Sequence, residues 1–242
     1  MRTTRWSIAS RIVLCLLVAV VIAGCDSIKV TDRQILDPQR KIPRPDHILV
    51  YDFAATPADV PADSALADQS AVSQTPQTAE HIETGRRVGA EIATKLVEEI
   101  RRLGLPAELA SAGVTPQIND IVIRGYLLSV EEGSATKRMA IGFGAGASRL
   151  SVAVEGYQMT AQGLRKLGSG TVGAGGSKGP GAAVPLAIAI ASANPLGLIV
   201  STGMKVYGEA SGSSKIEGRA EQTAKEIAEE MKPRLRQQGW IE

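Results

Sequence analysis

The chain reads as an α/β (α+β) protein: a small mixed or antiparallel sheet packed by two amphipathic helices, with a glycine/alanine-rich apolar segment added. Three observations predict this. Residues 80–103 repeat apolar side chains at three- and four-residue steps (Val88, Ile92, Leu96, Ile100, Leu103), which marks one face of a helix. Residues 219–238 do the same with Ala224, Ile227, Ala228, Met231 and Leu235. Between them, residues 120–131 and 149–160 are strand-like runs, the second with Leu150, Val152 and Val154 opposed to Ser151, Ala153 and Glu155.

The chain begins with Arg2, Arg5 and Arg11, and from Ile12 to Gly24 every residue is apolar or glycine. A positive start, a short apolar run and small residues at its end are the parts of a secretory signal. The run is shorter than the roughly 20 residues of a comfortable span; the alternative reading is an uncleaved N-terminal anchor. Cys25 follows Val21-Ile22-Ala23-Gly24 directly, with Asp26 after it. This ending resembles the lipobox of bacterial lipoproteins. That resemblance implies cleavage between Gly24 and Cys25, diacylation of the Cys25 thiol and acylation of the new amino group. It implies a body held on a membrane in the cell envelope and facing the periplasm. Asp26 resembles an inner-membrane retention signal of enterobacteria, and inner and outer membrane both stay open.

Removing residues 1–24 takes away three arginines and no acid, so the formal charge changes from +2 to slightly negative. The basicity belongs to the signal, and no nucleic-acid partner is expected without a basic patch. Cys15 leaves with the signal, so the remaining cysteine, Cys25, has no disulfide partner. Aromatics are only 3%, so the core is expected from Val, Ile, Leu and Ala.

Residues 25–46, the lipidated cysteine and a polar stretch with prolines at 38, 43 and 45, read as a tether. Residues 47–242 read as a single domain. Ile48 to Phe53 has strand length and near-continuous hydrophobicity, as in a strand buried on both faces. Residues 54–79, rich in Ala, Pro, Asp and Ser, predict a long loop. Gly104 and Pro106 predict the end of the first helix, and Leu105 to Leu109 a short strand. In 120–131, Val122, Tyr126, Leu128 and Val130 are expected on one face and Ile121, Ile123 and Leu127 on the other, with Arg124 reaching an edge. Residues 166–174 are the expected hairpin partner of 149–160, joined through Ala161 to Arg165. Pro233 is expected to kink the second helix, and Trp240 to plug its end into the core.

Two segments invite functional readings. Gly142-Phe143-Gly144-Ala145-Gly146-Ala147 departs from both phosphate-binding fingerprints, since no lysine follows Gly146 and a strand follows instead of a helix. Residues 179–204 carry no charge. Pro185, Pro195 and Asn194 interrupt them, and the four-residue spacings Gly197/Ser201 and Ala187/Ala191 suit close helix packing. A buried small-residue helix pair, a strand over Leu186 to Ala193, a self-association or partner contact and membrane insertion are the readings left open.

No catalytic motif, metal-spaced cluster or cofactor fingerprint is present in the sequence, and no enzyme activity or cofactor is expected. His47 and His81 read as solvated surface residues, and Asp46 and Asp52 flank the first strand.

Ile141-Gly142-Phe143-Gly144-Ala145-Gly146, the strand after it, the glycine-rich 168–181 stretch and the terminal Gln237-Gln238-Gly239-Trp240-Ile241 resemble the bacterial lipoprotein family grouped as domain of unknown function 4410. The resemblance runs from about residue 45 to 242 and implies no catalytic residue. The order of elements is similar, more loosely, to curli-secretion and penicillin-binding-protein-activator lipoproteins. Unlike the former, the chain has no pair of long alternating segments for a membrane-spanning hairpin. The expectation is a non-enzymatic, lipid-anchored adaptor or assembly component. The alternatives are a small-ligand or glycan module, with its pocket between the first helix and the glycine-rich loop, and an oligomeric pore or secretion subunit.

Overall fold

The computed structural model describes residues 29–64, 78–110, 113–131, 149–174, 199–200 and 213–242. Cys25, the Gly142–Ala147 loop and most of 179–204 lie outside these residues.

Helix α1 (Ala79–Arg102) starts where Thr78 accepts a hydrogen bond from the His81 amide at 3.2 Å. It ends where Gly104 takes φ +78, a left-handed conformation that glycine adopts without strain. Val88, Ile92, Leu96 and Ile100 are all buried along one face. Helix α2 (Ser213–Gln238) buries Ala220, Thr223, Ala224, Ile227, Ala228 and Leu235, and runs as a helix through Pro233. The two helices pack on each other and on the same face of a mixed sheet.

Strand β1 is Lys29–Ile35, β2 Ile48–Val50, β3 Ala107–Leu109, β4 Ile121–Glu131, β5 Arg149–Thr160, β6 Gly163–Ala174 and β7 Ile199–Val200. Their order across the sheet is β1-β6-β5-β4-β2-β3, with β7 beside the last part of β4. Strands β4, β5 and β6 form an antiparallel meander. β2 lies parallel to both β3 and β4, because α1 carries the chain back between β2 and β3. The architecture is therefore mixed α/β, as the periodicities predict.

Phe53 shows why two glycines stand where they do. Its ring covers Gly125 of β4, and its backbone meets Gly89 of α1; a β-carbon at either glycine would overlap Phe53. The Phe53 amide donates to the Gly89 carbonyl at 3.3 Å. At the other end of the core, Trp240 is 7% exposed and its Nε1 donates to the Ile42 carbonyl at 3.3 Å. It closes the helix end, as expected.

Three expectations are corrected. The expected tether over 25–46 is corrected from Lys29 onward: β1 pairs with β6 from Lys29 against Gly173 to Ile35 against Gly168. Beyond it, Arg234 and Gln238 of α2 donate to the carbonyls of Pro38 and Arg40, and Ile42 is buried. Backbone pairing, which composition does not encode, made this segment part of the body. The hairpin after β5 is tighter than the expected Ala161–Arg165 connection, with only Ala161 and Gln162 between the strands and Gly163 at φ +105. Strand β5 is not half-buried, because Ala153, Glu155 and Tyr157 are as buried as Leu150 and Val152 on the opposite face.

Candidate functional site: a buried carboxylate on the second face of the sheet

The cover on that second face is residues 54–64. Ala54 bridges to Tyr126 of β4, and Pro57–Asp59 form one 3-10 turn. Thr56 and Asp59 close the turn reciprocally, and Arg86 of α1 holds Asp59 at 2.8 Å. Burial works against the Asp59 carboxylate, but its bonds from Arg86 and Thr56 hold its pKa below the ordinary range. The segment thus crosses the sheet and delivers Asp63 and Ser64 over β4 and β5.

Beneath it lies Glu155, 2% exposed. Its Oε2 accepts from Ser64 Oγ at 2.8 Å, Tyr157 OH at 2.7 Å and Tyr126 OH at 3.1 Å. Its Oε1 accepts from Lys166 Nζ at 2.7 Å. Register explains the convergence. Tyr157 lies two residues along the same strand, so on the same face. Lys166 faces Tyr157 across β6, and Tyr126 faces Ala153 across β4. Burial pushes the Glu155 carboxyl toward its neutral form. The bonds from Lys166, Tyr157 and Ser64 outweigh it, so the pKa falls below the ordinary carboxylate range. Burial pushes the Tyr126 hydroxyl the other way, far above its ordinary value, and the neighbouring Glu155 charge adds to that.

Directly opposite Glu155 on β4 is Arg124, whose side chain is 12% exposed. Its Nη1 donates to Asp63 at 2.6 Å, and its guanidinium carbon lies 5.8 Å from the Tyr51 ring centre and 5.4 Å from that of Tyr157. Arg124 shares the face of Val122 and Tyr126, as the alternation predicts. It does not run to an edge; aromatic faces and a loop carboxylate hold it over the middle of the sheet.

Chemically, Glu155 is an ionised acceptor with four donors on two oxygens. That arrangement fastens the crossing loop to three strands. The site was hidden in the sequence because alternation assigns Glu155 to a wet face. Its donors come from positions 64, 126, 157 and 166, and only Tyr157 is a near neighbour. Among residues singled out from the sequence, His47 is exposed and its Nδ1 lies 3.3 Å from Asp120. His81 sits in the first turn of α1. Asp46 joins Arg44, Pro45, Gly104, Leu105 and Pro106 around a shallow depression. Asp52 is exposed beside the loop. Cys25, Gly24 and Asp26 lie outside the described residues. Among the described residues, no cluster of His, Cys, Asp or Glu is spaced to hold a metal, and no helix is long and apolar enough to cross a membrane.

Fold and site together define a mixed α/β domain whose sheet carries two helices on one face and a carboxylate-fastened loop on the other. A family model described as a domain of unknown function (DUF4410) matches residues 48–193, and the chain belongs to that family. No curated protein matches the chain. Among solved structures it is similar to a PelC dodecamer from Paraburkholderia phytofirmans, with 11% identity, 83% of this chain and 95% of that chain covered, and a TM-score of 0.35. A second PelC dodecamer structure from the same organism has the same identity and coverage, with a TM-score of 0.37.

Proposed function

We propose that this chain is a lipid-anchored protein of the bacterial cell envelope, facing the periplasm, that acts as a non-enzymatic adaptor or assembly component. The observation that carries the reading is the run Val21-Ile22-Ala23-Gly24-Cys25 behind a basic, apolar leader. Cleavage after Gly24 would free the Cys25 amino group. A diacylglyceryl thioether plus an N-acyl chain supplies more than one buried chain, which is what stable anchoring needs.

The body supports a holding role. Glu155 accepts from four residues, which supports a fastening role for its charge. The charge-free stretch 179–204 is the candidate contact for self-association or for a protein partner. No nucleic acid, cofactor or metal enters this reading.

The experiment compares the wild type with Cys25→Ser in intact cells, by membrane fractionation and chemical crosslinking. The wild type is expected in membranes, in a crosslinked complex larger than the monomer. The variant is expected to be released or left unprocessed, with that complex lost. An unchanged distribution contradicts the anchor, and a membrane-bound monomer without crosslinks contradicts the assembly role.

A further inference from the structure

The strand ends of this fold are sorted. Lys29 of β1 pairs with Gly173, so the start of β1 lies at the end of β6. Leu150 pairs with Ala174, and Glu131 with Arg149, so β6 ends, β5 starts and β4 ends at the same level. β7 pairs with Ser129 and Val130 there too. One end of the sheet therefore holds Lys29, Glu131, Arg149, Ala174 and Ile199. The opposite end holds the Ala161–Gln162 turn and Asn119, whose amide donates to the Met159 carbonyl at 2.8 Å.

We infer that the end marked by Lys29, Arg149 and Ala174 faces the lipid surface, with the strands standing up from it and the Gln162 turn pointing away. The inference rests on lipidation at Cys25 as proposed above. Four residue steps separate Cys25 from Lys29 and span at most about 14 Å. Strand β5 is longer: eleven steps at 3.3 Å give about 36 Å between Arg149 and Thr160. The link is too short to let the body turn over and put the Gln162 end on the bilayer.

A second observation separates standing up from lying flat. The chain leaves this end at Glu131 and returns at Arg149, then leaves at Ala174 and returns at Ile199. Ile199 and Val200, which are part of the charge-free stretch 179–204, pair here. Lys29, the first paired residue after Cys25, and Ile199 and Val200 of the charge-free stretch thus share one end, whereas Gln162 and the Asn119–Asp120 turn stand at the other. Charge-free sequence joined to the body at the end where the anchored link enters is what a lipid surface accepts best.

The test uses the chain's own cysteine economy: Cys15 leaves with the signal, and the Cys25 sulfur carries lipid. Arg149→Cys and Gln162→Cys each place one reactive thiol on the processed protein. Both are purified in lipidated form, labelled with an environment-sensitive fluorophore and reconstituted into phosphatidylethanolamine/phosphatidylglycerol vesicles. A quencher attached to the lipid headgroup reads height. The label at position 149 is expected to lose more than half its emission, and the label at 162 less than one tenth, with unchanged thermal unfolding of both proteins. Equal quenching, or stronger quenching at 162, in protein that floats with the vesicles overturns the orientation alone. Failure of both proteins to float overturns the anchor and the orientation together.

Discussion

Glu155 gathers donors from a loop and three strands at one buried carboxylate. Four donors surround a carboxylate that is 2% exposed, and one of them is the Lys166 ammonium. Removing the acid would leave that ammonium and the inward-facing hydroxyls without their acceptor. Glu155→Ala is therefore expected to cost about 3–5 kcal/mol in urea unfolding, the range for breaking a buried ion pair from one side. Because the folded pKa lies below the unfolded value of about 4.3, the contribution is fully present above that value. It is lost as pH falls through the folded value. The unfolding midpoint of the wild type is expected to drop on going from pH 5 to pH 3, and the drop should be smaller in Glu155→Gln. Equal slopes in the two proteins would show that this carboxylate is not the group that titrates.

Strands and helices are set by closeness as much as by apolarity. Gly125 lies under the Phe53 ring, whereas at Gly156 of the neighbouring strand a β-carbon would meet nothing within 4 Å. Gly125→Ala is expected to destabilise by about 1–3 kcal/mol through overpacking. Gly156→Ala is expected to stay within about 0.5 kcal/mol of wild type. Chemical denaturation of the pair checks the contrast, and equal effects would remove Phe53 as the cause. Both helices were legible because their apolar faces recur at the helical period, and β4 as far as Leu127 because its faces alternate; the register shift between Leu127 and Ser129 then sets Val130 opposite Leu150, on the other face from the one expected. Lys29–Ile35 was not legible: it joins the sheet through backbone pairing to β6, and its polar, aperiodic residues read as a spacer. The loop over Glu155 was legible only as a loop, since Ser64 meets an acid 91 positions away. An acid in an alternating strand looks solvated unless its donors are known, and three of the four come from other elements.

Taken as a whole, the molecule joins an apolar N-terminal run ending at Cys25 to a domain whose strand pairing starts four positions later, at Lys29. Under the proposed lipidation at Cys25, the four steps to Lys29 are a short link, and a short link would orient the body as well as hold it. The two helices cover one sheet face, and the 54–64 segment crosses the other. The most direct measurement is the mass of the N-terminal peptide of the membrane-extracted protein. A peptide that begins at Cys25 and carries a diacylglyceryl group with an added acyl chain is the expected result. A peptide that begins elsewhere, or a Cys25 with an unmodified thiol, would contradict the account.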